Sequence, residues 1–250
     1  MKEKKLKYAI ISDIHSNLEA FQTVLDKIHQ EKVDRIICLG DLVGYNANPN
    51  ECIELAKNEK IKCILGNHDA AVIGKADIKW FNVIARQAIL WTKKNISPKN
   101  FTFLESLSEN CFIDSNFFIV HGSPKNRDEY IFTIQEAKHH FEYLLENSIN
   151  LCFFGHTHRR ALYQHTSKGN FKNHTKEESL RLRKVDYYLI NPGGVGQPRD
   201  YDPRASFLFY DSDKNRIEMV RLEYNIEKCA QKVLDAGLDA RLAQRLFFGV

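Results

Sequence analysis

Ile36-Ile37-Cys38-Leu39-Gly40-Asp41 decides how this chain is read. Four apolar, strand-forming residues run into a glycine and then a carboxylate, which is the pattern of a strand buried on both faces of an α/β sheet. In such sheets ligands sit beyond the carboxyl ends of the strands, where Asp41 falls. The pattern recurs in both directions along the chain. Apolar runs deliver Asp13 and His15, Asn67 and His68, His121, and finally His156 and His158 to the loops that follow them.

Upstream, Tyr8 to Ile11 reads as a first strand. Ser16 and Glu19 make a Ser-x-x-Glu capping box ahead of Leu18, Phe21, Val24, Leu25 and Ile28 at helical spacing. Downstream of Asp41, Asn48 is placed to cap a short helix with Pro49 in its first turn, ending near Lys57. Ile61 to Leu65 is a third buried strand. Three β-α units in succession predict parallel strands joined by right-handed crossovers.

An amphipathic stretch follows, with Ile78, Phe81, Ile84, Ala85, Ala88 and Trp91 on one face, ended by Ser97-Pro98; its aromatics are expected in the core. Asp114-Ser115-Asn116 reads as a hairpin turn between Phe112-Ile113 and Phe117 to Val120. Ile134 to Leu145 is helical and Leu151 to Phe154 is a strand. Ala161 to His165, Val185 to Ile190, Ala205 to Tyr210 and Ile217 to Leu222 are expected to form a second, largely antiparallel sheet. Thr166 to Lys184 is polar and basic, and reads as an exposed hairpin or loop. It begins soon after His158, so an overhang above the loops is one option. A helical segment starts near Ile226, with Val233, Leu234, Leu238, Leu242 and Leu246 as its apolar face.

The 250 residues, 43% of them apolar, are enough for one substantial core, and residues 1–250 are expected to form a single domain. The net charge of +4 implies neither nucleic acid nor a membrane surface. Six cysteines are scattered singly with no Cys-x-x-Cys pair, which favours a reducing compartment over a disulfide scaffold or a thiolate zinc site. Met1 to Lys7 is basic, but Tyr8 to Ile11 is too short for a signal core, so a cytoplasmic location is expected.

The strand-end residues form one chemical set. In an extended segment, Asp13-x-His15 and His156-x-His158 each point both side chains to one side. Asp41, Asn67 and His121 add three donors. One metal needs about four to six ligands, so seven nitrogen and oxygen donors are more naturally shared by two, with Asp41 the candidate bridge. Imidazole and carboxylate ligands without thiolate suit Mn²⁺, Fe or Zn²⁺ better than Mg²⁺ or Ca²⁺, and Mn²⁺ is the ion expected to support activity.

These residues resemble the calcineurin-like metallophosphoesterases, in particular the small bacterial and archaeal phosphodiesterase-type members. The matching motifs are Asp13-Ile14-His15, Gly40-Asp41-Leu42-Val43-Gly44, Gly66-Asn67-His68-Asp69, His121-Gly122 and Gly155-His156-Thr157-His158, over about residues 8 to 160. Asn191 to Arg199 looks like the glycine-rich loop of the small members. The resemblance implies a four-layer α-β-β-α sandwich of two mixed sheets. It also implies one metal on Asp13, His15, Asp41 and His158, and a second on Asp41, Asn67, His121 and His156. His68 then sits over the substrate phosphate as general acid and transition-state stabiliser, and a metal-bridging hydroxide attacks phosphorus. Arg199 is a candidate clamp for a phosphate oxygen, and Asn17 a candidate substrate contact.

The expected activity is hydrolysis of a phosphodiester or phosphomonoester, on a small substrate such as a nucleotide. Ser/Thr protein phosphatase-like and dinucleoside-polyphosphate hydrolases are the alternatives, and a non-catalytic scaffold is a third class. A nucleic-acid substrate is not favoured, and no membrane partner is expected. In the protein phosphatases of this superfamily an aspartate orients the catalytic histidine; Gly44 stands at that position here, which argues against that activity. Ser16 stands where small members often have glycine.

Overall fold

The computed structural model describes residues 5–250. Within them, twelve strands form two six-stranded sheets. In the first sheet, β1 (Lys7–Ile11), β2 (Arg35–Cys38) and β3 (Lys62–Cys63) run parallel. In the second, β4 (Asn110–Ile113) and β5 (Phe117–Val120) form a hairpin, and β6 (Leu151–Phe153) lies parallel to β5.

The later strands do not make a sheet of their own. β7 (Arg160–His165), β8 (Phe171–Asn173) and β10 (Tyr187–Pro192) join the second sheet, in the order β4-β5-β6-β10-β7-β8. β9 (Ser179–Arg181), β11 (Ala205–Asp211) and β12 (Arg216–Leu222) join the first, in the order β3-β2-β1-β11-β12-β9. Both sheets are therefore mixed. The residues 166–184 are not one exposed hairpin either. β8 pairs with β7 on one sheet and β9 with β12 on the other, so the segment ties the two edges together.

Alternation along β1 shows the layering. Tyr8 and Ile10 face the other sheet, in a core with Ile37, Leu39, Phe117, Phe153, Ile190 and Leu208. Ala9 and Ile11 face outward onto α1 (Leu18–Gln30) and α2 (Pro49–Asn58), through Phe21, Val24, Ile28 and Ile53. α6 (Ile134–Glu146) covers the second sheet through Ala137, Phe141 and Leu144. The result is the four-layer α-β-β-α sandwich of two mixed sheets that the resemblance implies.

Several local expectations change. α1 is capped by Asn17, whose Oδ1 accepts from the Ala20 N–H at 3.0 Å, and not by Ser16. Ser16 has φ 57°, so its backbone is in the left-handed region that glycine adopts most freely. The third strand pairs over only two residues, after which the short α3 (Asn67–Val72) begins. The amphipathic stretch splits into a 3₁₀ turn, Ile78–Trp80, and α4 (Val83–Asn95), because Asn82 caps α4 through a bond from the Ala85 N–H. Pro98 opens α5 (Pro98–Glu105).

The tail forms two helices, α7 (Ile226–Asp235) and α8 (Ala240–Leu246), separated by Gly237 at φ 69°. Val233, Leu238, Leu242 and Leu246 are buried against Tyr45, Ala85 and Ala88 of the same chain, whereas Leu234 is exposed. The first four residues of the basic N-terminal stretch lie outside the described residues. No helix of the described residues is long and apolar enough to cross a membrane.

Candidate metal centre

Loops from both sheets converge beyond the carboxyl ends of β1, β2, β3, β5, β6 and β10. Main-chain bonds tie them together. The Asp13 N–H donates to Gly40 O at 3.1 Å, the His15 N–H to Asp41 O at 2.9 Å, and the Gly196 N–H to Asp13 O at 2.9 Å. The loops hold an uncommon conformation. Asp13 (φ 55°), His15 (48°), Asp41 (55°), His156 (65°) and His158 (57°) all lie in the left-handed region, at a cost of ~1–2 kcal/mol each for a residue with a Cβ.

That conformation corrects the extended-segment argument for the paired motifs. His156 and His158 do not point to one side as a chelating pair; they part into two groups. Asp13, His15, Asp41 and His158 bring donor atoms within 4.8 Å of one another, and Asp41, His121 and His156 do the same. Asp41 belongs to both groups. Its Oδ2 is 3.4 Å from His15 Nε2 and 3.4 Å from His121 Nε2. Asn67 joins the second group, its Oδ1 3.0 Å from His121 Nε2.

The tautomers follow from the hydrogen bonds. Nδ1–H donates to Val43 O from His15 (3.0 Å), to Leu39 O from His121 (2.8 Å) and to Gln197 O from His158 (2.6 Å). Each Nε2 is left facing the centre, with a main-chain carbonyl fixing the ring as is usual for a metal ligand. His15 Nε2 and His158 Nε2 then stand 3.2 Å apart, two lone pairs in opposition unless a cation lies beside them.

The carboxylates match. Asp13 and Asp41 are buried, and both Asp13 oxygens and Asp41 Oδ2 accept no hydrogen bond from the described residues. Unpaired oxygens in a dry site are costly without a positive partner. Burial pushes Asp13 up to about 6, with His121 opposing and Asp41 reinforcing. Burial alone would raise Asp41 too, but His121, His68 and His15 hold it well below the ordinary range. His15, His156 and His158 are pushed down chiefly by burial. At His121 burial is outweighed by Asp41, and the imidazole rises to about 9. The field at that point favours positive charge. These buried oxygens and inward-facing nitrogens fit two divalent cations.

His68 lies beside the centre. Its backbone N–H donates to Asp41 Oδ1 at 2.9 Å, and its ring packs against His15 (4.8 Å between centroids), Tyr45 (4.4 Å) and Phe81 (5.1 Å). Phe81 is thus a wall of the site, not simply core. His68 Nδ1 has no hydrogen-bond partner among the described residues and faces Gly44. Burial brings this imidazole down to about 4, against the raising effect of Asp41. Asp69 is outside the donor set. It accepts from the N–H groups of Leu42 (3.3 Å), Val43 (3.1 Å) and Gly66 (3.1 Å), bracing the Asp41 loop against the start of α3.

Asn17 does not face the site. Its amide caps α1 and donates to Gly196 O at 2.8 Å, which uses both ends of the side chain. Arg199 does face it, donating to Tyr45 Oη at 3.0 Å and Gln197 Oε1 at 3.3 Å, with its Nε buried and without a hydrogen-bond partner among the described residues. A cavity of about 630 Å³ opens over His68, His156, His158 and Arg199, and none of the residues 166–184 lines it. The basic segment therefore does not overhang the site. Sequence reasoning missed Tyr45, Tyr130 and Arg245 in the cavity wall. Tyr45 adjoins a motif and could have been suspected, but nothing near Arg245 in the sequence marks it.

An α-β-β-α sandwich with two linked groups of metal-type donors at its strand ends is the architecture of a metal-dependent phosphoester hydrolase. Residues 6–215 match the model of the calcineurin-like phosphoesterase superfamily domain, and the chain belongs to that superfamily. It is 41% identical to an uncharacterised protein of Methanocaldococcus jannaschii, covering 96% of this chain and 97% of that one. The crystal structure of a metallophosphoesterase from Sphaerobacter thermophilus is similar at TM-score 0.87 and 37% identity, over 99% of this chain and 100% of that one. A hypothetical protein of Pyrococcus horikoshii shares the fold at TM-score 0.80 and 18% identity, over 98% of each chain.

Proposed function

We propose that this protein hydrolyses a phosphodiester or phosphomonoester bond at a two-metal centre, with one ion on Asp13, His15, Asp41 and His158 and the other on Asp41, Asn67, His121 and His156. The observation that carries the reading is the position of Asp41 Oδ2, equidistant at 3.4 Å from an imidazole of each group. Two such ions, when bound, supply Lewis-acid charge and an activated water.

The chain supplies the rest. Arg199 offers a planar, bidentate donor to phosphate oxygens. His68, held between three rings, is placed to donate a hydrogen bond to the leaving oxygen, and to pass it a proton once the charge of a bound phosphate has raised the imidazole from its low value in the empty site. Tyr45 and Phe81 keep the imidazole from turning and limit water around it.

The test is hydrolysis of bis-p-nitrophenyl phosphate and p-nitrophenyl phosphate after chelation and reloading with Mn²⁺, Fe²⁺ or Zn²⁺. Turnover that vanishes on chelation and returns with metal supports the reading. Inertness toward both substrates with all three ions sinks it and favours the non-catalytic scaffold.

A further inference from the structure

Four cationic side chains line the cavity: Lys75, Arg127, Arg199 and Arg245. Two have committed partners. Arg127 pairs with Glu109 and Asp128 at 2.8 and 2.9 Å, and Lys75 donates to Glu105 O at 3.0 Å. The other two share Tyr45. The guanidinium of Arg199 is 5.5 Å and that of Arg245 is 5.8 Å from the Tyr45 ring centroid. The same ring lies 4.6 Å from His15 and 4.4 Å from His68.

Among the described residues neither arginine is ion-paired with an aspartate or glutamate side chain. Arg199 meets Tyr45 and Gln197, and Arg245 donates through Nε to the Val250 main-chain oxygen. Both guanidiniums lie within 6 Å of the one Tyr45 ring, and Arg245 is brought down to about 10 by burial and by the charge of Arg199. Such a pair is stabilised by an anion held between them. Arg245 comes from α8, beyond the matched residues 6–215, whereas Tyr45 and Arg199 lie within them, so the C-terminal helices supply one half of the pair.

We propose that Arg245 and Arg199 form a second anion subsite across Tyr45, and that the substrate carries a further phosphoryl group beside the scissile one. This rests on the phosphoesterase reading above. One phosphoryl group lies at the metal centre and reaches Arg199 from one side; the second reaches Arg199 and Arg245 from the other.

Two measurements separate the subsite from the catalytic reading. The first is calorimetric titration of the metal-free protein with inorganic pyrophosphate and with orthophosphate. Pyrophosphate is expected to bind at least tenfold tighter, R245Q to bring the ratio close to one, and R245K to keep most of the preference. The second is kcat/KM of the Mn²⁺-loaded enzyme for adenosine 5′-diphosphate against bis-p-nitrophenyl phosphate, where R245Q is expected to cost the diphosphate at least tenfold more. If wild type hydrolyses neither substrate, the phosphoesterase reading falls and the titration alone decides the subsite. Equal binding of the two anions by wild type, or the same pyrophosphate preference in folded R245Q, overturns the proposal.

Discussion

Gly44 and His68 are in direct contact: a Cβ at Gly44 would lie 2.5 Å from His68 Nδ1, and Gly44 sits at φ +99°. The imidazole therefore rests on bare backbone, and its Nδ1 has no hydrogen-bond partner among the described residues. Ring packing by His15, Tyr45 and Phe81 orients His68 in place of a hydrogen bond.

Gly44→Ala should displace the ring and strain the loop. The expected result is a fall in kcat of about 10²-fold, the scale of a lost proton-transfer group, with metal content close to wild type. Steady-state kinetics with elemental analysis checks it; unchanged kcat would mean that the contact does not position His68.

His68→Gln should lower kcat by about 10²–10⁴-fold while leaving both metals bound, since the His68 ring lies outside both donor groups. Loss of metal in parallel with activity would instead make His68 a ligand.

Asp69→Ala removes the acceptor of three buried N–H groups and should destabilise the fold by ~2–4 kcal/mol, read as a lower Tm and a lower urea midpoint. Asp69→Asn keeps one acceptor oxygen and should lose less. A Tm within a degree of wild type for both variants would contradict the bracing role.

The metal-free protein should lose stability on acidification from about pH 6.5 toward 4. His15, His68, His140, His156 and His158 have folded values below their unfolded ones, so the unfolded chain takes up those protons first and stability falls with pH. Asp13 and Asp69, raised to about 6 and about 7, pull the other way, but two carboxyls oppose five imidazoles. The net is about three protons, or at most ~4 kcal/mol per pH unit. His121 has the opposite sign, its contribution being complete below pH 6.5 and lost as pH rises through about 9. Chemical denaturation across pH 4–9 tests this, and a flat profile below 6.5 would contradict it.

The donor residues were legible because buried strands announce their own ends: an apolar run stopping at Gly40-Asp41 or Gly155-His156 marks a loop and its chemistry together. The partition of His156 and His158 was not legible from spacing, because left-handed backbone at both residues overrides the period-two rule. The resemblance supplied it. The sheet assignment of β7, β10, β11 and β12 was hidden for another reason. Pairings such as β1 with β11 join residues some 200 positions apart, and alternation along one strand does not name its partner. Arg245 is a contribution of tertiary packing alone, delivered by a helix whose sequence advertises only its leucines.

The central claim is that Asp41 joins two metal sites, and metal stoichiometry of Asp41→Asn tests it most directly. Wild type reconstituted with Mn²⁺ should hold two ions per chain by elemental analysis, Asp13→Asn about one, and Asp41→Asn fewer than one, because the shared oxygen serves both groups. Two ions retained in Asp41→Asn, or a single ion in wild type, would contradict the account.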